Sequence, residues 1–148
     1  MLNKLKENYL NIKFNVNNNT NFAIYFHGVN GSNIQTTDSP SWYNPIEAKL
    51  VYLNILHLLK LNISMNDIGI ITPYQLQAKV IKNMLLQLNL DELPKIGTTE
   101  EFQGLEKHII LISTVRSIND EEHSIKNPKL LNFIMCPRRI NVSLSRAR

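Results

Sequence analysis

The stretch Ile68-Gly69-Ile70-Ile71-Thr72-Pro73-Tyr74-Gln75-Leu76-Gln77-Ala78-Lys79-Val80-Ile81 decides the fold. Its first four residues are short, bulky and apolar on both faces, the composition of a buried strand. Thr72-Pro73-Tyr74-Gln75 then reads as a helix start, and Leu76, Val80, Ile81, Met84, Leu85 and Leu88 recur after it at helical spacing. A strand apolar on both sides that feeds an amphipathic helix belongs to a sheet covered on both faces.

The same alternation continues outward. Upstream, Phe22 to His27 is an apolar, aromatic run that predicts a strand, and Gly28 to Tyr43 a turn-rich loop. Asn44-Pro45-Ile46-Glu47 predicts a helix, with Asn44 as cap, Pro45 at the first helical position and Glu47 three residues after the cap. Ile46, Leu50, Val51, Leu53, Ile55, Leu58 and Leu59 give it a wide apolar face. Downstream, Lys95 to Thr98 predicts a short strand and His108 to Val115 a longer one, with a polar loop from Ile118 to Lys129. Pro137 precedes a helix expected from Arg138 to Arg148. The order predicts an α/β fold with a parallel sheet flanked by helices, and in such sheets function gathers beyond the carboxyl ends of the strands. Residues 1–21, rich in Asn and Lys, read as a poorly ordered leader before a domain at 22–148.

Composition excludes several classes. The chain has 148 residues, 43% of them hydrophobic and 19% charged, enough for one domain with a real core. The lone Cys136 rules out an internal disulfide and a cysteine-rich zinc site, and fits a reducing compartment. His27, His57, His108 and His123 lack metal-ligand spacing, so no metal site is expected. The apolar stretch from Leu50 to Ile63 is broken by Asn54, His57, Lys60 and Asn62, so no membrane span is expected, and the N-terminus has no apolar core of a secretory signal. None of the five glycines precedes Lys and then Ser or Thr, so the chain has no phosphate-cradling Walker loop. A net charge of +4 permits a polyanion partner without requiring one.

Three segments have the residues for chemistry. Thr72-Pro73 at a helix start suits a phosphate, although Thr72 as a plain helix cap is the stronger reading of the pattern alone. Thr98 to Glu106 is a polar loop with two amide- or acid-bearing hydrogen-bonding groups, Gln103 and Glu106; it reads equally as a surface turn closed by Gly104. On the expected last helix, Arg138, Asn141, Ser145 and Arg148 share one stripe and Arg139 and Arg146 another. Guanidinium groups match phosphate oxygens, but a solvated basic helix has the same pattern.

Together, IGIITPYQLQ (68–77), IGTTEEFQGLEKHIILISTVRS (96–117) and CPRRINVSLSRAR (136–148) resemble, in order and spacing, motifs IV, V and VI of superfamily 1 helicases of the Upf-like group. FAIYFHGVNG (22–31) and SPSWYNPIEA (39–48) look like the Armitage and Moloney-leukemia-virus-10 branch of RNA helicases, and the similarity covers residues 22–148. The resemblance implies the second RecA-like domain of a motor in which ATP, with Mg2+, sits between two RecA-like domains and is bound mainly by the first. Arg146 matches the arginine that reaches the γ-phosphate across the cleft, and Arg139 a supporting arginine. Glu106 matches an acid that hydrogen-bonds the ribose; Gln103 and Gly104 match the loop that links nucleotide state to the nucleic-acid track. Thr72 and Thr98, with Pro73 and Arg116, match residues along the backbone of single-stranded RNA. The implied partners are single-stranded RNA, a first RecA-like domain and small-RNA silencing proteins, and the implied setting is the cytoplasm, ribonucleoprotein granules included.

Two departures and one mild change stand beside the match. The family's arginine-bearing opening segment and the strand after motif VI have no counterpart here, and, as the mild change, Ser145 stands where Thr is usual. The expectation is therefore a domain truncated at both ends, inactive alone for want of the Walker loop, with reduced stability and an unpaired place in its sheet. The alternatives are a non-catalytic nucleic-acid-binding module and a DNA helicase of the same superfamily.

Overall fold

A computed structural model describes residues 24–37, 39–116 and 136–148. Its elements are β1 (Ile34–Gln35), β2 (Trp42–Tyr43), α1 (Pro45–Lys60), β3 (Ile68–Ile71), α2 (Gln75–Leu86), β4 (Lys95–Gly97), β5 (Ile109–Ile112) and α3 (Pro137–Leu144). Single 3-10 turns lie at Met65–Asp67 and Glu100–Phe102.

The sheet is parallel with order β4–β3–β5, Ile70 facing Ile96 on one side and Leu111 on the other. β3 is central and buried along its whole length, as its composition requires. Its side chains alternate between two layers. Ile68 and Ile70 join Ala48, Val51, Ile55 and Leu58 of α1 and Ile81 and Leu85 of α2 in the core. Gly69 faces the other way, under the ring of Phe102: a Cβ there would lie 2.7 Å from Phe102 and 2.7 Å from Ile110. Only glycine allows that approach. The result is the α/β parallel sheet flanked by helices that the alternating pattern predicts.

α1 begins as expected. Asn44 Oδ1 accepts from the Ile46 and Glu47 amides at 3.0 and 3.1 Å, with Pro45 in the first turn. The buried face, however, is Ala48, Val51, Ile55 and Leu58, while Ile46 is 42% exposed. The stripe is rotated because Glu47, expected near the cap, turns inward instead.

Four expectations need correction. Of the strand expected at Phe22–His27, the described residues 24–27 are irregular, and Phe26 is 88% exposed; an apolar run becomes a strand only where a neighbour pairs with it, and no described strand does. The loop at 28–43 contains a short antiparallel ladder, β1 with β2. Thr72 does not cap α2: its amide donates to the Gly97 carbonyl at 3.1 Å, so it prolongs the sheet, and the helix starts three residues later. A residue before proline avoids helical backbone. Ser41 Oγ, 35 positions away, accepts from the Leu76 amide in the first turn of α2 at 3.1 Å. Lastly, α3 stops at Leu144 rather than Arg148, because Lys107 captures the following backbone: its amide donates to the Arg146 carbonyl and its carbonyl accepts from the Arg148 amide. The arginine stripes expected from an unbroken helix therefore do not form.

Candidate functional site

Thr72, Thr98 and residues 113–116 all follow parallel strands, so they share the carboxyl edge of the sheet. Ser113 donates its amide to the Ile71 carbonyl at 2.9 Å, carrying the ladder past β5. Thr98 is buried, its hydroxyl 3.4 Å from Glu101 Oε1. Thr72 is fully buried, and its hydroxyl has no hydrogen-bond partner. Pro73 is half-buried beside it. Arg116 is 8% exposed, its guanidinium carbon 4.3 Å from the centre of the Trp42 ring, and its Nε is likewise without a partner. A buried polar group without a partner costs about 1–3 kcal/mol. Burial pushes the Tyr74 hydroxyl above its ordinary pKa of 10.0, partly offset by the positive charge of Arg116, so Tyr74 belongs to the same cluster.

A buried polar network braces this edge. The Asn44 amide donates to Gln77 Oε1 at 2.9 Å, and Gln77 Nε2 donates to Ser113 Oγ at 3.0 Å. Ser113 Oγ donates to Glu47 Oε2 at 2.6 Å, which also accepts from the Val115 amide at 2.9 Å. The starts of α1 and α2 are thereby tied to the end of β5. Val115 has φ +70°, a left-handed position that costs a β-branched residue about 1–3 kcal/mol.

The connection from β4 to β5 must pass β3, and it does so on the face away from α1 and α2. Phe102, fully buried, anchors it over Gly69. Gln103 (φ −61°, ψ 126°) and Gly104 (φ +76°) then form a type II turn closed by the Leu105 amide on the Phe102 carbonyl at 3.1 Å. Both residues are exposed. The surface-turn reading of Gly104 is thus right about the backbone, and it leaves the Gln103 side chain on the surface.

α3 lies along this crossing segment. Arg139 pairs with Glu100 at 3.0 Å, and Ser143 Oγ is 3.4 Å from Thr99 Oγ1, just past the end of β4. Glu106 accepts from Arg148 Nε at 2.9 Å. Arg146 is half-buried; its Nε donates to the Val142 carbonyl at 3.1 Å and its Nη2 to Ser145 Oγ at 3.0 Å. Lys107 precedes β5, so Arg146 sits at the amino end of that strand, whereas Arg116 lies past its carboxyl end. The arginine helix approaches the carboxyl edge through Arg139 and Ser143, beside Glu100 and Thr99, and Arg146 lies away from it. The sequence-predicted residues therefore form two groups: Thr72, Pro73, Thr98 and Arg116 at the edge, and Arg139, Gln103, Gly104, Glu106 and Arg146 on the crossing face.

In the second group, Arg146 Nη1 and Glu106 Oε1 make no hydrogen bond among the described residues, which leaves one guanidinium nitrogen and one carboxylate oxygen open to an outside partner. Sequence reasoning missed Trp42, the inward role of Glu47, and Gln77 and Ser113. Only the Asn44 cap was a local signal for the network; every other link joins residues more than 30 positions apart. Among the described residues, no helix is long and apolar enough to cross a membrane.

A three-stranded parallel sheet with helices packed on it is the arrangement of a RecA-like α/β domain. The chain belongs to the family described as an AAA domain (AAA_12), which matches residues 3–148, and so to the C-terminal RecA-like region of superfamily 1 Upf-like helicases. It is 47% identical over 124 residues to the probable RNA helicase armi of Drosophila melanogaster, covering 84% of this chain and 10% of that protein. It is 41% identical over 130 residues to human RNA helicase Mov10l1, covering 86% of this chain and 10% of the relative. More distantly, it is 36% identical over 115 residues to the DNA replication ATP-dependent helicase/nuclease DNA2 of Xenopus tropicalis, covering 78% of this chain and 10% of that protein. The chain thus spans about a tenth of the length of these relatives.

Proposed function

We propose that this chain is the second RecA-like domain of an ATP-dependent RNA helicase motor, working with a first RecA-like domain that carries the Walker loop and binds most of the ATP and Mg2+. The observation that carries the reading is the segment 98–108. It links the carboxyl edge, the place for a nucleic-acid backbone, to the face where Arg146 and Glu106 stand ready for a nucleotide. Hydrolysis of ATP supplies the free energy of the cycle. Arg146 neutralises charge on the terminal phosphate, Arg139 supports it, and Glu106 accepts from the ribose. Gln103 and Gly104, exposed at the turn, relay the state of that face along the crossing segment. Thr98 and Arg116, with Thr72 and Pro73 behind them, hold single-stranded RNA through its backbone, so little sequence preference follows.

Relatives named RNA helicases at 47% and 41% identity favour RNA over DNA as substrate. A cytoplasmic role in RNA silencing or turnover, in ribonucleoprotein granules and beside small-RNA silencing proteins, is part of the same proposal and rests on the family resemblance of the motifs. Arg146→Ala, in a protein that joins this chain to its Walker-bearing domain, is expected to cut ATP turnover ~10³–10⁵-fold while ATP binding persists. Retained turnover rejects the finger role. Competition between RNA and DNA oligomers of matched sequence tests the substrate, and a preference for DNA selects the reading that the DNA2 relative favours.

A further inference from the structure

The carboxyl edge holds a strained backbone position that a bare strand-binding surface does not need. Val115 has φ +70°, and the Arg116 amide donates to the Thr114 carbonyl at 2.8 Å. This is a γ-turn of the rare positive-φ kind, centred on a β-branched residue. Both peptide groups of Val115 are held from α1. Its amide donates to Glu47 Oε2 at 2.9 Å, and its carbonyl accepts from Asn44 Nδ2 at 3.3 Å. Glu47 and Val115 are 9% and 0% exposed, so water does not compete for these bonds.

The turn has one visible product. It redirects the chain at Arg116 and sets the guanidinium 4.3 Å from the Trp42 ring. Among the described residues no carboxylate pairs with Arg116, and its Nε is unpartnered. A guanidinium stacked on a ring keeps its in-plane N–H groups for another acceptor. Strain, clamp and unpaired cation thus converge on one side chain.

We propose that Glu47 is a positioning residue: it locks the turn at Val115 and so stacks Arg116 on Trp42, aiming the guanidinium at an RNA phosphate. This rests on the reading of the carboxyl edge as a single-strand surface. Asn44 shares the clamp, but it also caps α1, so Glu47 is the cleaner residue to change.

Trp42 is the only tryptophan of the chain, and its emission reports the stack without any ligand. In the 148-residue chain, Glu47→Gln keeps the reach of the acceptor, while Glu47→Asp withdraws it by one methylene. Glu47→Gln is expected to stay close to the native chain in Trp42 emission, and within about twofold in affinity for a single-stranded oligouridylate. Glu47→Asp is expected to shift the emission and weaken binding about tenfold. It should also flatten the slope of log affinity against log salt by about 0.7, the value for one phosphate contact on a single strand. Arg116→Ala should show the same loss, and combining it with Glu47→Asp should add nothing. A folded Glu47→Asp chain with native emission and affinity, or an additive double variant, overturns the proposal. If Glu47→Asp unfolds the chain, adding Val115→Gly is expected to restore fold and stack, because glycine accepts a positive φ without a clamp; a double variant that stays unfolded or folds unstacked overturns the proposal as well. Should Arg116→Ala bind the oligomer natively while Glu47→Asp still shifts the emission, the positioning role stands and the RNA reading of this edge fails.

Discussion

The carboxyl edge and the crossing face handle their charged groups in opposite ways. At the edge, Arg116 is nearly buried, stacked on Trp42 and set by a network of buried hydrogen bonds that runs through Glu47, Ser113, Gln77 and Asn44. On the crossing face, Arg139 and Arg148 are about half exposed or more and pair with carboxylates that are about half exposed. The first arrangement is fixed before any ligand arrives, since each member of a buried network depends on the others. The second is loose, because exposed ion pairs are worth little and exchange readily with water or a phosphate. A surface that only has to grip one kind of backbone gains from rigidity. On the proposed reading, in which the crossing face meets a second domain and lets it go, side chains that are cheap to rearrange are an advantage.

The contrast can be broken or sharpened by substitution. The largest effect on stability is expected where the crossing segment is anchored. Phe102→Ala removes a fully buried ring from over Gly69 and should cost about 3–5 kcal/mol in denaturant unfolding. A loss below about 1 kcal/mol would mean that the crossing face has no fixed point at all. Next comes the rigid edge. Asn44→Ala removes the α1 cap and the bond to the Val115 carbonyl, and should cost about 1–3 kcal/mol; a loss confined to a few tenths would show the edge to be as slack as the other face. Arg139→Ala should change stability by no more than about 1 kcal/mol, and high salt should erase the change. A larger, salt-resistant loss would make the two regions alike.

The smallest effect is a matter of pH. The folded chain raises the Tyr74 pKa above 10.0, so the fold favours the neutral phenol. The stability this contributes is complete below the unfolded value and disappears as pH rises through the folded one. Tyr74→Phe should therefore flatten the decline in stability above pH 10, while the native chain keeps declining. A Tyr74→Phe chain whose stability declines above pH 10 just as the native chain's does would place Tyr74 outside the buried edge.

Much of the architecture is legible because its causes are local. Ile68 to Ile71 is apolar on both faces and becomes the central strand. Asn44 and Pro45 start a helix by satisfying or dispensing with the first amides. Gly104 takes the one position of a type II turn that requires positive φ. Where the reading went astray, a distant group had outbid the local one. Thr72 looks like a cap, yet the Gly97 carbonyl draws its amide into the sheet and Ser41 serves the helix. Arg146 continues a helical pattern, yet Lys107 takes the backbone around it. Phe22 to His27 looks like a strand, yet no described strand pairs with its described part.

By itself the sequence determined the alternation of buried strands and amphipathic helices, because composition and periodicity act within a few residues; the phosphate and ribose roles came only as what the motif resemblance implies. The tertiary structure alone decided how those residues are divided between an edge and a face, and that Glu47, 68 positions away in the chain, holds the turn before Arg116. Such a contact exists only after the starts of two helices and the end of a strand have packed together, and no local pattern encodes which carboxylate will be found there.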